Sequence, residues 1–126
     1  MEWAGRHGVA FVPFAPLGRG YLTGTLTSDG FEDGDFRATN PRFLPEAFAR
    51  NRAISDEVAR IAAAHDVTSA QISLAWLLGL SDHVIPNPGT RSSTHLRENF
   101  GAGQLRITDD ERAVLDSLPA PVGARY

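Results

Sequence analysis

VIPNPGTRSSTHLREN, residues 84–99, contains in order a short apolar run, a turn and the start of a helix. Val84 and Ile85 are stopped by Pro86. Pro86, Pro88 and Gly89 make the turn, and the helical pattern that follows carries Leu96 and Phe100 at i, i+4. A buried strand that ends in a tight turn at a helix start makes a place for an anion. The first amides of a helix lack partners within it, and its dipole puts positive potential at that end. Thr90, Ser92 and Ser93 add hydroxyl donors, and Arg91 adds a planar, permanently charged fork suited to phosphate oxygens. The same residues also read as a capped helix carrying a surface arginine.

Upstream, VAFVPF at residues 9–14 is apolar throughout rather than alternating. Short strands of that kind belong to sheets covered on both faces, as in parallel α/β folds. Pro13 removes a ladder donor, so the strand should close there. The loop APLGRGYLTG, residues 15–24, follows with three glycines. Glycine allows a positive φ and close approach of backbone to a ligand, so this is a phosphate-facing loop or simply a turn. Before the strand, Trp3 and Ala4 fit the end of a helix stopped by Gly8.

Between the two apolar runs lie a long polar loop, residues 25–41, and two helical patterns. Loops of that length are often lids or binding loops. The loop's acids Asp29, Glu32, Asp33 and Asp35 do not have the spacing of an EF-hand, and a solvated charge cluster is expected. Residues 45–65 read as a helix with Pro45 in its first turn and Ile54, Val58, Ile61 and Ala62 as its apolar stripe. Thr68 and Gln71 have capping-box spacing and open a second helix that should bury Ile72, Ala75, Trp76 and Leu77 or Leu78. Thr108 and Glu111 open a last helix in the same way, with Val114, Leu115 and Leu118 as its buried face. Pro119 and Pro121 stop it, and residues 122–126 are irregular.

Two apolar strands joined through helices imply a parallel pair with a right-handed crossover. Two parallel strands alone leave both edges open, so the chain reads as part of a sheet protein. At 126 residues it is one domain or a piece of a larger one. A net charge of -3 without a basic block argues against nucleic acid and acidic membrane partners. No apolar run approaches a membrane span, and residues 1–8 carry no signal-peptide pattern. With no cysteine, disulfides and thiolate metal sites are excluded, and a cytoplasmic location is the default expectation.

Four motifs in order carry a resemblance. PLGRGYLTG (16–24), GDFRATNPRF (34–43), TSAQISLAWLL (68–78) and IPNPGTRSSTHLREN (85–99) together resemble the aldo-keto reductases. Those are (β/α)8 TIM barrels that reduce carbonyls with NADP(H), and such a barrel takes about 250 residues. The resemblance implies that residues 1–126 are the C-terminal part of a barrel, incomplete by itself, with residues 9–14 as the seventh strand and 83–86 as the eighth. It also implies positions for the cofactor. Phe14 would face the nicotinamide, or serve only as core packing. Pro16, Leu17, Gly18, Arg19 and Gly20 would wrap the pyrophosphate, mainly through backbone amides. Ala15 stands where relatives often carry a serine, so one phosphate bond is lost. Gly89, Thr90 and Arg91 would hold the adenosine 2′-phosphate with Ser92 nearby, Glu98 and Asn99 would bond adenine, and His95 would make a lesser contact.

The family's tyrosine acid and its lysine, aspartate and histidine partners come from early strands and loops. All twelve basic residues here are arginines, so the lysine is missing, and Tyr21 and Tyr126 do not match the tyrosine. His7, His65, His83 and His95 have neither metal-ligand nor triad spacing. We therefore assign no catalytic and no metal residue. The expected partners are NADP(H), a carbonyl substrate only in a complete barrel, and either an N-terminal half-barrel or further copies of the chain. The alternative is a non-enzymatic nucleotide-binding module or a vestigial, truncated gene product.

Overall fold

A computed structural model describes residues 1–27 and 30–125. Five helices are present among them: α1 (Glu2–Arg6), α2 (Pro45–Ala64), α3 (Ser69–Leu78), α4 (Ser93–Gly101) and α5 (Asp109–Asp116). Short 3₁₀ turns occur at Gly18–Thr23, Phe36–Ala38 and Ala102–Gln104. The second of these lies inside the polar loop and is capped by Asp35, whose side chain accepts from the Arg37 amide. Asp29 lies outside the described residues, as does Tyr126.

Local chemistry explains the helix ends. Gly8 at φ +64 stops α1, and the Val9 amide donates back to the Ala4 carbonyl at 2.9 Å. Pro45 begins α2, where a missing amide costs nothing. Asp66, at φ +53, turns the chain after α2 so that the Val67 amide reaches the Ala62 carbonyl at 3.0 Å. Thr68 with Gln71 and Thr108 with Glu111 form complete capping boxes at α3 and α5. These satisfy helix-end donors that would otherwise face solvent unpaired.

The core forms where α2, α3 and α5 meet: Val58, Ile61 and Ala62 pack with Ile72 and Leu115, and Val67, Trp76, Leu105, Ile107 and Leu118 rim them. Ile61 and Ile72 are fully enclosed, and each contributes roughly 1.5–3 kcal/mol of burial. Helix α3 is covered on more of its circumference than a single stripe predicts. Ser73 and Leu74 are buried as well as Ile72 and Ala75, while Leu78 is exposed. Val114 points outward, so the buried face of α5 is narrower than expected, and Leu96 and Phe100 of α4 stand in solvent.

The two apolar runs are extended but are not strands. Among the described residues the only link between them is a single parallel bridge from Phe11 to Val84. The Phe11 amide donates to the His83 carbonyl at 2.7 Å, and the Ile85 amide donates to Phe11 at 2.9 Å. The parallel direction is as the crossover argument requires; the ladder is not. Pro13 and Pro86 offer no donors to lengthen it, and among the described residues neither segment bridges to another. Val84 is buried, whereas Val9, Phe11, Val12, Phe14 and Ile85 remain exposed.

Candidate functional site

The loop after residues 9–14 is shaped by its glycines. Gly18, Arg19 and Gly20 take successive positive φ values of 58, 57 and 93, and Ala15 is also left-handed at 48. The Gly18 amide donates to the Ala15 carbonyl at 2.9 Å, and the Gly20 and Leu22 amides donate to Leu17 at 3.1 and 3.2 Å. The glycine amides are thus bonded inside the turn. Arg19 places its guanidinium 4.8 Å from the Phe36 ring centroid and donates to the Arg125 carbonyl at 3.1 Å. Its own carbonyl accepts from Arg37, which grips Asp35 through both carboxylate oxygens. Those bonds hold the Asp35 carboxyl below its usual range and raise Arg37.

Across a cleft from this loop stands the start of α4. Ser92 caps the helix by accepting from the His95 amide at 3.3 Å, and the Ser92 amide donates to Thr90 Oγ1 at 3.1 Å. The cleft, about 490 Å³, is lined from one side by Pro16, Leu17, Arg19 and Gly20 and from the other by Gly89, Thr90, His95, Glu98 and Asn99. Nine of the thirteen residues singled out in the sequence therefore meet at one concavity, although the two groups lie some seventy positions apart. Arg91 is exposed outside the lining and Ser92 serves as the cap. Phe14 and Gly18 line a neighbouring, more apolar cavity of about 790 Å³ between the loop, the helices and the C-terminal tail.

Sequence reading gave no site role to Thr23, Thr25, Thr68 and Ala70, which also line the cleft together with Pro88 of the turn. Thr68 was legible only as a cap, and its hydroxyl is indeed held by Gln71. Thr23 donates to the Gly20 carbonyl at 2.7 Å and shares a 2.8 Å bond with Thr25. The hydroxyls clustered after Gly20 were the available signal. Tyr21, which matched no catalytic position, donates its hydroxyl to the Phe48 carbonyl at 2.7 Å. Burial pushes its phenol above the ordinary value.

The family model for aldo/keto reductases matches residues 1–120. The chain belongs to the aldo/keto reductase family. It is 40% identical, over its whole length, to an NADP(+) aldo-keto reductase of Schizosaccharomyces pombe, yakc, and covers 38% of that protein. Aldo-keto reductase str7 of Strobilurus tenacellus is 38% identical over 94% of the chain, which spans 35% of it. Among solved structures, the glycerol dehydrogenase AKR11B4 of Gluconobacter oxydans superposes with a TM-score of 0.78 at 26% identity. That match covers 91% of this chain and 35% of the dehydrogenase. This aldo/keto reductase chain thus spans little more than a third of the relatives it matches, and its fold is that of part of their barrel.

Among the described residues of this aldo/keto reductase chain, no helix is long and apolar enough to cross a membrane. His7 and His65 are engaged elsewhere than the cleft. His7 stacks on Trp3 with ring centroids 4.4 Å apart, and His65 Nε2 bonds both carboxylate oxygens of Glu111 at 2.9 and 3.0 Å.

Proposed function

We propose that this chain is the cofactor-holding C-terminal portion of an NADP(H)-dependent aldo/keto reductase, with residues 9–14 and 83–86 in the places of the seventh and eighth barrel strands. The observation that carries the reading is the cleft itself, where the glycine loop and the start of α4 face each other across about 490 Å³. Its donor set suits a phosphorylated nucleotide. The positive end of α4, the Thr90 hydroxyl and His95 occupy one wall, with Glu98 and Asn99 one turn further along the helix. Glu98 accepts from an exocyclic amine and Asn99 both donates and accepts, which matches the edge of an adenine. Exposed Arg91, next in sequence to the cleft residue Thr90, would pair with the 2′-phosphate. Pro16, Leu17, Arg19 and Gly20 would border the pyrophosphate, and Phe14 the nicotinamide.

When bound, NADPH supplies the hydride that reduces a carbonyl carbon. The residues of this chain bind and orient the dinucleotide; the proton donor belongs to segments of the barrel outside these 126 residues, so the isolated chain is inactive. Exposed Phe11, Val12 and Ile85 make a barrel remainder, or further copies of the chain, the expected cover for its open edges.

Calorimetric titration of NADP+, NADPH and NAD+ into the chain tests the reading. Binding with preference for the 2′-phosphorylated forms is expected. Absence of binding both by the chain and by a longer protein carrying it overturns the assignment of the cleft.

A further inference from the structure

Residues 122–125 return to the loop that borders the cleft and are held there by hydrogen bonds from four other residues. Asn51 bonds both backbone groups of Val122, Arg42 Nε donates to the Gly123 carbonyl at 3.2 Å, and Asn40 Nδ2 donates to the Arg125 carbonyl at 3.0 Å. Arg19 donates to that same carbonyl at 3.1 Å. Arg125 in turn donates from Nη2 to the Phe14 carbonyl at 2.9 Å and sets its guanidinium 5.0 Å from the Phe14 ring centroid. Gly123 permits this approach. It sits at φ +92, and a Cβ there would lie 2.8 Å from the Pro41 carbonyl oxygen and 2.9 Å from the Arg42 nitrogen.

We propose that residues 122–125 form a latch that holds the turn at residues 14–20, with Arg125 a positioning residue for Phe14 and Arg19 and, through them, for the pyrophosphate–nicotinamide half of a bound dinucleotide. The ligand in this inference rests on the function proposed above; the latch itself rests on the contacts alone. The turn needs support, because Arg19 and Ala15 occupy a region that side chains disfavour, and such backbone persists only where its surroundings hold it. Arg125 covers one face of Phe14, and the residue is still 64% exposed, so the opposite face is open to a flat ligand. The contacts of the tail fall on the loop and on the segment before and within α2. The adenine wall, Glu98 and Asn99, stands on α4 and is built without them.

The test uses Arg125→Ala and a chain shortened to end at Gly123, which keeps the Asn51 and Arg42 anchors. Amide hydrogen exchange without nucleotide should quicken severalfold at residues 17–22 in Arg125→Ala and further in the shortened chain, while α2 and α3 stay unchanged. With nucleotide, the shortened chain should lose about tenfold in NADP(H) affinity and bind adenosine 2′,5′-bisphosphate as the parent does. Unchanged exchange at residues 17–22 overturns the latch. Equal weakening of both nucleotides overturns its restriction to the nicotinamide half. If neither the unaltered chain nor a longer protein carrying it binds either nucleotide, the cleft assignment fails, and exchange alone still decides the latch.

Discussion

Asn51, buried in α2, pairs with the backbone of Val122 as one strand pairs with another: its Oδ1 accepts from the Val122 amide at 2.7 Å, and its Nδ2 donates to the Val122 carbonyl at 3.0 Å. Seventy-one residues apart, the two fix the end of the chain to its longest helix. Asn51→Ala leaves both Val122 groups without their partner and should cost about 1–3 kcal/mol. Asn51→Asp keeps the acceptor but sets a carboxylate oxygen against a carbonyl, and should cost at least as much. Urea unfolding of the three chains checks this, with a lowered midpoint expected for both variants.

Acid should weaken the contact between α2 and α5. The Glu111 carboxylate accepts from the Thr108 amide at 2.9 Å and from His65 Nε2. The Thr108 bond first, then His65, holds its carboxyl below the ordinary 4.5. Since the folded value is the lower one, the unfolded chain takes up more protons as pH falls. The stabilisation is complete above the unfolded value and is lost as pH drops through the folded one. Asp35 and Glu57, lowered by their bonds to Arg37 and Arg60, act with the same sign. Glu111→Gln keeps an acceptor for Thr108 and removes the charge. Its urea midpoint should fall less steeply than the parent's between about pH 6 and about pH 3.

Cofactor choice should reside in Arg91. A charge-assisted contact to the 2′-phosphate contributes roughly 1.5–3 kcal/mol, or about tenfold to a hundredfold in affinity. Arg91→Ala should therefore weaken NADP(H) by that factor and leave NAD(H) nearly unchanged, whereas Glu98→Ala should weaken both through adenine. Calorimetry on the chain or its longer parent reads the difference. Equal loss of both cofactors in Arg91→Ala would make its role structural.

The open edges should drive association. Val12 is 56% and Phe100 82% exposed, and an unpaired extended segment is a template for another chain. Sedimentation velocity should show species that grow with concentration. Val12→Lys, which charges the edge, should shift the distribution toward monomer.

Alone, the chain should not oxidise NADPH with any aldehyde, ketone or quinone. Positioned proton transfer and charge stabilisation supply much of such rate enhancement, and the family's lysine has no counterpart among its residues. Spectrophotometric assay of rigorously purified protein should stay at background; turnover above it would require a proton donor within these residues.

What depended on neighbours in sequence was legible without coordinates. Thr68 and Gln71, or Thr108 and Glu111, are three positions apart, so their capping boxes are decided by side-chain type and spacing. The same holds for Pro45 at the start of α2 and Gly8 after α1. Within helices the period gave Val58, Ile61 and Ile72 as core, and it misjudged Leu74 and Val114, whose burial depends on what packs beside them.

By itself, then, the sequence determined the helices, their ends, and the two loops that follow the apolar runs. Only the tertiary structure brought those loops to one cleft, left Arg91 exposed outside its lining, and tied Arg125 to Phe14. It also reduced two apolar runs to a single bridge between Phe11 and Val84. The physical reason is the range of the interactions. A helix closes its hydrogen bonds within four residues of the same segment, so its own residues suffice. An extended segment must find its bonds on another segment, and a run like residues 9–14 becomes a strand only when a neighbour pairs with it along its length.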